Sequence, residues 1–135
     1  MLLLDSEAIS ALSHGPAQRR DRVRALIGEM RKRELPIATV AAVLAEVVRG
    51  RRADAQVFVG LKRERVLVYP VDSKVGVRAG KLLGAVRRGS ELAVDAFIVA
   101  VADIEGGALI ASVDVDDIRR LAAHASRVRV SSIQP

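Results

Sequence analysis

The sequence predicts an α/β fold, a mostly parallel sheet covered by helices on both faces. Two observations carry this. Short apolar runs alternate along the chain with longer segments whose apolar residues recur at helical spacing. Each apolar run is near-continuous and bounded by turn residues, the pattern of strands buried on both faces. No repeat, low-complexity tract or long linker divides the chain, so residues 1–135 read as a single domain.

Met1 to Leu4 is a short apolar first strand. Ser6 to Ser13 has Ala8, Ile9 and Leu12 at helical spacing and stops at Gly15-Pro16. Pro16 suits the first turn of a second helix running to about Arg33, with Val23, Leu26, Ile27 and Met30 on one face. Pro36 to Thr39 is a short strand, and after it comes a helix marked by Val40, Val43, Leu44, Val47 and Val48 that closes at Gly50. Asp54 to about Glu64 is helical, and Val66 to Tyr69 is a strand ended by Pro70. Asp72 to about Arg88 is the next helix, broken by Gly89-Ser90 before another from Glu91 to Ile104. Gly106-Gly107 turns into the strand Ala108 to Ser112. A helix from Asp116 to His124 and a strand from Val128 to Ile133 complete the chain.

Composition narrows the class. Half the residues are hydrophobic, yet the only aromatics are Phe58, Tyr69 and Phe97, so Val, Leu, Ile and Ala must build the core. The lack of cysteine excludes a disulfide framework and a thiolate zinc site, and fits a reducing cytoplasm. No signal sequence and no membrane-spanning run is visible, so a cytoplasmic protein with no membrane association is expected. The net charge of +6 points to a polyanion such as RNA or DNA, although an acidic protein or simple solubility would also account for it.

Four acids interrupt apolar sequence: Asp5, Glu46, Asp95 and Asp114. Burying a carboxylate is unfavourable unless it gains a hydrogen bond, a cation or a metal. Asp5 reads equally as a helix N-cap, a role Ser6 is also able to take. Glu46 falls beside the apolar stripe of its helix, and an exposed pair with Arg49 is the alternative. Asp95 is the strongest signal, because Asp103 is the only other charge between Leu92 and Ile104. Asp116 and Asp117 suit the start of the next helix, which leaves Asp114 as the better ligand. Ser112 is placed to orient a carboxylate or a water. Asp5 and Asp114 both fall just beyond strand ends, where ligands bind in parallel sheets. Clustered carboxylates without cysteine suit a hard divalent ion, magnesium or manganese. With a basic surround, that chemistry suits phosphodiester hydrolysis.

These residues carry a resemblance. Leu3-Leu4-Asp5-Ser6, Val43 to Gly50 around Glu46, Val94 to Ala100 around Asp95, and Ser112 to Asp117 around Asp114 resemble, in order and spacing, the PIN-domain ribonucleases, specifically VapC toxins of type II toxin–antitoxin modules. The resemblance implies a three-layer α/β/α sandwich and a toxic, magnesium-dependent endoribonuclease, with manganese a possible substitute. It also implies a VapB-like antitoxin partner and a homodimer. It assigns Asp5, Glu46, Asp95 and Asp114 as catalytic metal ligands, with Asp117, Asp116, Ser6 and Ser112 as accessory groups. The sequence departs from the family at Glu7, usually small or neutral, and at Ser112, usually Thr. It also lacks a His near Asp103-Ile104-Glu105.

Arg49, Arg51 and Arg52 are the preferred RNA contacts, coming after Glu46 by about one helical turn. The other basic groups, Arg31-Lys32-Arg33, Lys62-Arg63/Arg65 and Arg87-Arg88, read individually as solvated helix faces. His14 and His124 suit helix ends. Gly76 to Lys81 falls one residue short of a phosphate loop and has Leu82 in place of the hydroxyl. The alternative function is a PIN-like module that binds RNA or protein without cutting.

Overall fold

The computed structural model describes residues 1–135. Five strands, β1 (Leu2–Leu4), β2 (Ile37–Val40), β3 (Leu67–Tyr69), β4 (Ala108–Ser112) and β5 (Val128–Ser132), form one sheet in the order β3-β2-β1-β4-β5. Every neighbouring pair is parallel. Seven helices cover it: α1 (Ser6–Ala11), α2 (Ala17–Lys32), α3 (Ala41–Val47), α4 (Asp54–Arg63), α5 (Ser73–Ala85), α6 (Ala93–Ile104) and α7 (Val115–Ala122). A 3-10 turn, Ser90–Leu92, leads into α6.

The sheet centres on β1, whose Leu2, Leu3 and Leu4 are fully buried because both its faces and both its edges are covered. Complete burial of a Leu side chain contributes about 1.5–3 kcal/mol, which makes this short strand the hydrophobic centre. α1, α2 and α4 pack together against one face, and α5, α6 and α7 against the other, giving the three-layer α/β/α sandwich. α3 touches α1 on one side and α6 on the other, bridging the two helical layers. No helix is long and apolar enough to cross a membrane.

The chain winds outward from β1 to β2 and β3, then returns to the other side of β1 for β4 and β5. The winding therefore reverses between β1 and β4, and a crevice opens at the carboxyl ends of those two strands. The pairing of Leu4 with Ala111 sets the register at that edge, so Asp5 after β1 and Ser112 at the end of β4 emerge side by side. A backbone bond from Asp5 N–H to the Ala111 carbonyl, 3.3 Å, closes the ladder there.

Several helix boundaries differ from those expected. α3 ends at Val47 rather than near Gly50, because Val48 is extended (φ −79°, ψ 133°) and Gly50 is left-handed (φ 71°). The Asp54 carboxylate accepts from Arg49 N–H and Arg51 N–H, donors that a continuing helix would have used. Arg49, Arg51 and Arg52 therefore lie in a loop, not on the helix of Glu46. α5 stops at Ala85, where Arg87 turns left-handed (φ 56°) and Arg88 N–H reaches back to the Leu83 carbonyl at 3.0 Å. α1 ends at Ala11, α7 runs from Val115 to Ala122, and β2 starts one residue later than expected.

Candidate active site

Asp5 caps α1: its Oδ1 accepts from Ala8 N–H at 2.8 Å, so the helix end fixes the carboxylate. The N-cap reading and the site reading therefore describe one side chain, since the cap occupies one oxygen. Thr39, fully buried on β2, donates its hydroxyl to the Leu4 carbonyl at 2.7 Å and pins the residue just before Asp5. Asp5 is itself buried, and burial pushes its pKa up to about 6. Hydrogen bonds from the Ser112 hydroxyl and Ala8 N–H oppose that rise, and the charges of Glu7 and Glu46 add to it. The Ser112 hydroxyl also lies 3.0 Å from the Asp114 carbonyl; with a single proton it serves one acceptor at a time.

Asp95 occupies the first turn of α6, half-buried, and its pKa is likewise raised to about 6. Burial is the first cause, and after it the charges of Asp5, Glu46, Asp117 and Asp114. Three other stretches of chain, those of Asp5, Glu46 and Asp114/Asp117, thus bring their negative charge to bear on this one side chain. Glu46, in the last turn of α3, reaches the group because α3 bridges α1 and α6. Asp114 stands at the start of α7 without capping it by its side chain.

Burial divides the acids. Glu46 and Asp114 are exposed, contrary to the expectation from their apolar flanks. In both cases the flanking Val and Leu face inward while the acid points out. Neither side chain holds an ion pair or hydrogen bond, so both are free to turn. Asp117 is already engaged, 3.7 Å from both Arg88 and Arg120. Asp116 is exposed and is not among the charges that perturb Asp95, and Ser6 makes no side-chain hydrogen bond.

With the side chains as they stand, no three carboxylates are close enough to share one ion. The donor chemistry nevertheless fits a hard divalent cation. The neighbouring carboxylates add to the rise in proton affinity of Asp95, a strain that such an ion relieves. Of these acids Asp5 alone is held in place by a hydrogen bond, while the carboxylates of Glu46, Asp95 and Asp114 have no hydrogen-bond or ion-pair partner.

The basic groups also sort themselves. Arg49 folds its guanidinium back onto the Ala45 and Val48 carbonyls at 2.7 and 2.9 Å, while Arg51 and Arg52 are exposed. Arg31 reaches from α2 to the buried Glu64 at the end of α4 at 3.0 Å, and Arg63 pairs with the same carboxylate from its neighbouring position at 3.4 Å, while both arginines stay exposed. Arg78 binds Asp103 at 2.6 Å, which accounts for the second acid of α6 as a structural group. Arg88 is the residue the sequence undervalued. It is held by Glu91 at 3.0 Å and faces Asp117, and its position just before the helix of Asp95 was the available signal.

Comparison with known proteins agrees with this fold. A family profile described as PIN domain matches residues 2–124. Among solved structures, VapBC2 from Rickettsia felis, bound to a DNA fragment from their promoter, superposes with a TM-score of 0.69. That alignment covers 97% of each chain at 16% identity, a likeness of fold. No curated protein matches the chain in sequence.

Proposed function

The chain belongs to the PIN-domain family, whose members are in general nucleases that use divalent metal ions, and from that premise we propose that it is the toxic endoribonuclease of a type II toxin–antitoxin module. In this reading residues 1–135 form one PIN domain of a cytoplasmic, VapC-like protein. It hydrolyses RNA phosphodiester bonds with magnesium, or manganese in its place. A VapB-like antitoxin restrains it, and it works as a homodimer. The observation that carries the reading is the convergence of charge on Asp95 from Asp5, Glu46, Asp114 and Asp117.

Asp5 is the fixed member of the ligand set, held by its helix cap, and Asp95 joins it from the first turn of α6. Glu46 and Asp114 complete the set by turning inward, and Ser112 orients Asp5 through its hydroxyl. Bound magnesium polarises a phosphoryl oxygen and lowers the pKa of water. The chain's own contribution is to place the phosphate, through Arg51 and Arg52, against a group of carboxylates it would otherwise avoid. With two Phe and one Tyr in the whole chain, RNA is gripped by backbone shape and charge more than by stacking.

Antitoxin-free protein should cleave structured RNA with magnesium or manganese and stop on addition of chelator. Asp95→Asn should lower the rate at least a hundredfold while the protein stays folded. The second reading, a module that binds without cutting, is favoured by the lack of any ready-made three-carboxylate cage. Intact RNA after incubation with either ion, together with measurable RNA binding, would establish it.

A further inference from the structure

Resting on the RNA-cleaving reading above, we infer that Asp54 is a positioning residue for RNA: its carboxylate folds the loop after α3 so that the Arg51 and Arg52 guanidinium groups stand free while that of Arg49 is held by backbone carbonyls. Both oxygens of Asp54 lie 3.1 Å from Arg49 N–H, and Oδ2 also accepts from Arg51 N–H at 2.9 Å. Asp54 N–H in turn donates to the Arg51 carbonyl at 3.0 Å, and Ala55 N–H to the Arg52 carbonyl at 3.2 Å. The loop is closed from both sides by the first turn of α4.

The carboxylate binds backbone N–H groups rather than guanidinium groups, so it orders the loop without consuming its cations. Burial acts to raise its pKa, but the N–H groups of Arg49, Arg51 and Gly50 outweigh it and hold the acid below the usual carboxylate range. Arg49, by contrast, is consumed. Its Nη1 caps the Ala45 and Val48 carbonyls and so secures the last turn of α3, which carries Glu46. The three arginines that look alike in sequence therefore split into one structural cap and two free cations. One carboxylate links the place of a metal ligand to the place of a phosphate contact.

Removing a negative charge beside a polyanion site should by itself tighten RNA binding. If Asp54 acts by positioning, Asp54→Asn weakens it instead, so the sign of the change separates the two effects. The measurement is fluorescence anisotropy of a labelled structured RNA hairpin across a salt series, without metal, in the non-cleaving Asp95→Asn background. Asp54→Asn should weaken binding about three- to tenfold and flatten the salt dependence. Arg51→Gln with Arg52→Gln should reduce the salt slope by about two contacts. In that double-Arg background Asp54→Asn should have no further effect, because the cations it positions are gone. Asp54→Glu keeps the charge but misplaces the oxygens, so it should behave like Asp54→Asn. Unchanged or tighter hairpin binding by both Asp54 variants overturns the inference alone. An equal loss in the double-Arg background overturns it as well. Failure of the parent protein to bind the hairpin overturns the RNA reading, and this inference with it.

Discussion

Asp5 is ionised at neutral pH against its environment. A folded-state pKa near 6, raised from 3.8, means that its contribution to stability is fully present below about pH 4 and is lost as pH rises through 6. At neutral pH the metal-free protein therefore carries a destabilising charge there. Asp5→Asn keeps an oxygen to cap Ala8 N–H and removes that charge. Its stability relative to wild type should improve by about 1–3 kcal/mol between pH 4 and pH 7.5, read from paired denaturation curves. Asp95→Asn should shift in the same direction by less, about 1 kcal/mol, since solvent screens its half-buried carboxyl. A gap that stays constant with pH would show that neither acid is perturbed. The sequence disclosed these two residues because each interrupts an apolar run that really is buried. It misjudged the burial of Glu46 and Asp114, because an acid flanked by Val and Leu still points outward when the flanking side chains turn in.

Helix identities were legible and helix ends were not. Apolar spacing locates all seven helices, but three of their stops depend on left-handed residues that are not glycine: Glu34, Arg65 and Arg87. After α2 and α4, the next residue's N–H reaches back to the Met30 and Leu61 carbonyls, each at 2.9 Å, the hydrogen-bonded stop that glycine normally permits. A search for Gly and Pro does not find such stops. Glu34→Gly and Arg65→Gly should each stabilise the protein by about 0.5–1 kcal/mol, because glycine enters the left-handed region without the Cβ penalty. Thermal denaturation would register each as a rise of a few degrees. A fall would mean that the side chains contribute more than the backbone conformation costs. The early end of α3 has a different cause. It is set by Asp54 from the next helix, a contact that no local pattern contains.

For the molecule as a whole, alternation of strand and helix announced a parallel sheet between helical layers. Strand order stayed open, and on strand order the site depends. Asp5 and Ser112 adjoin only because β4 lies beside β1, and Glu46 joins them only because α3 spans from α1 to α6. Gathering like charges opposes folding until a cation arrives, so ion binding and stability should be linked. Manganese at about a hundred times its dissociation constant should stabilise the fold by about 2.7 kcal/mol. The gain should be smaller at pH 5 than at pH 7.5, because two carboxyls near pKa 6 must release protons to bind the ion. Equal shifts at the two pH values would place the metal elsewhere.

The most direct test is a calorimetric titration of the protein with manganese at pH 7.5, beside the Asp95→Asn variant. Saturable binding that chelator reverses, weakened at least tenfold by Asp95→Asn, is the expected result. Binding of equal strength in the variant, or no saturable binding to the wild-type protein, would contradict the claim that these separate acids meet around one ion.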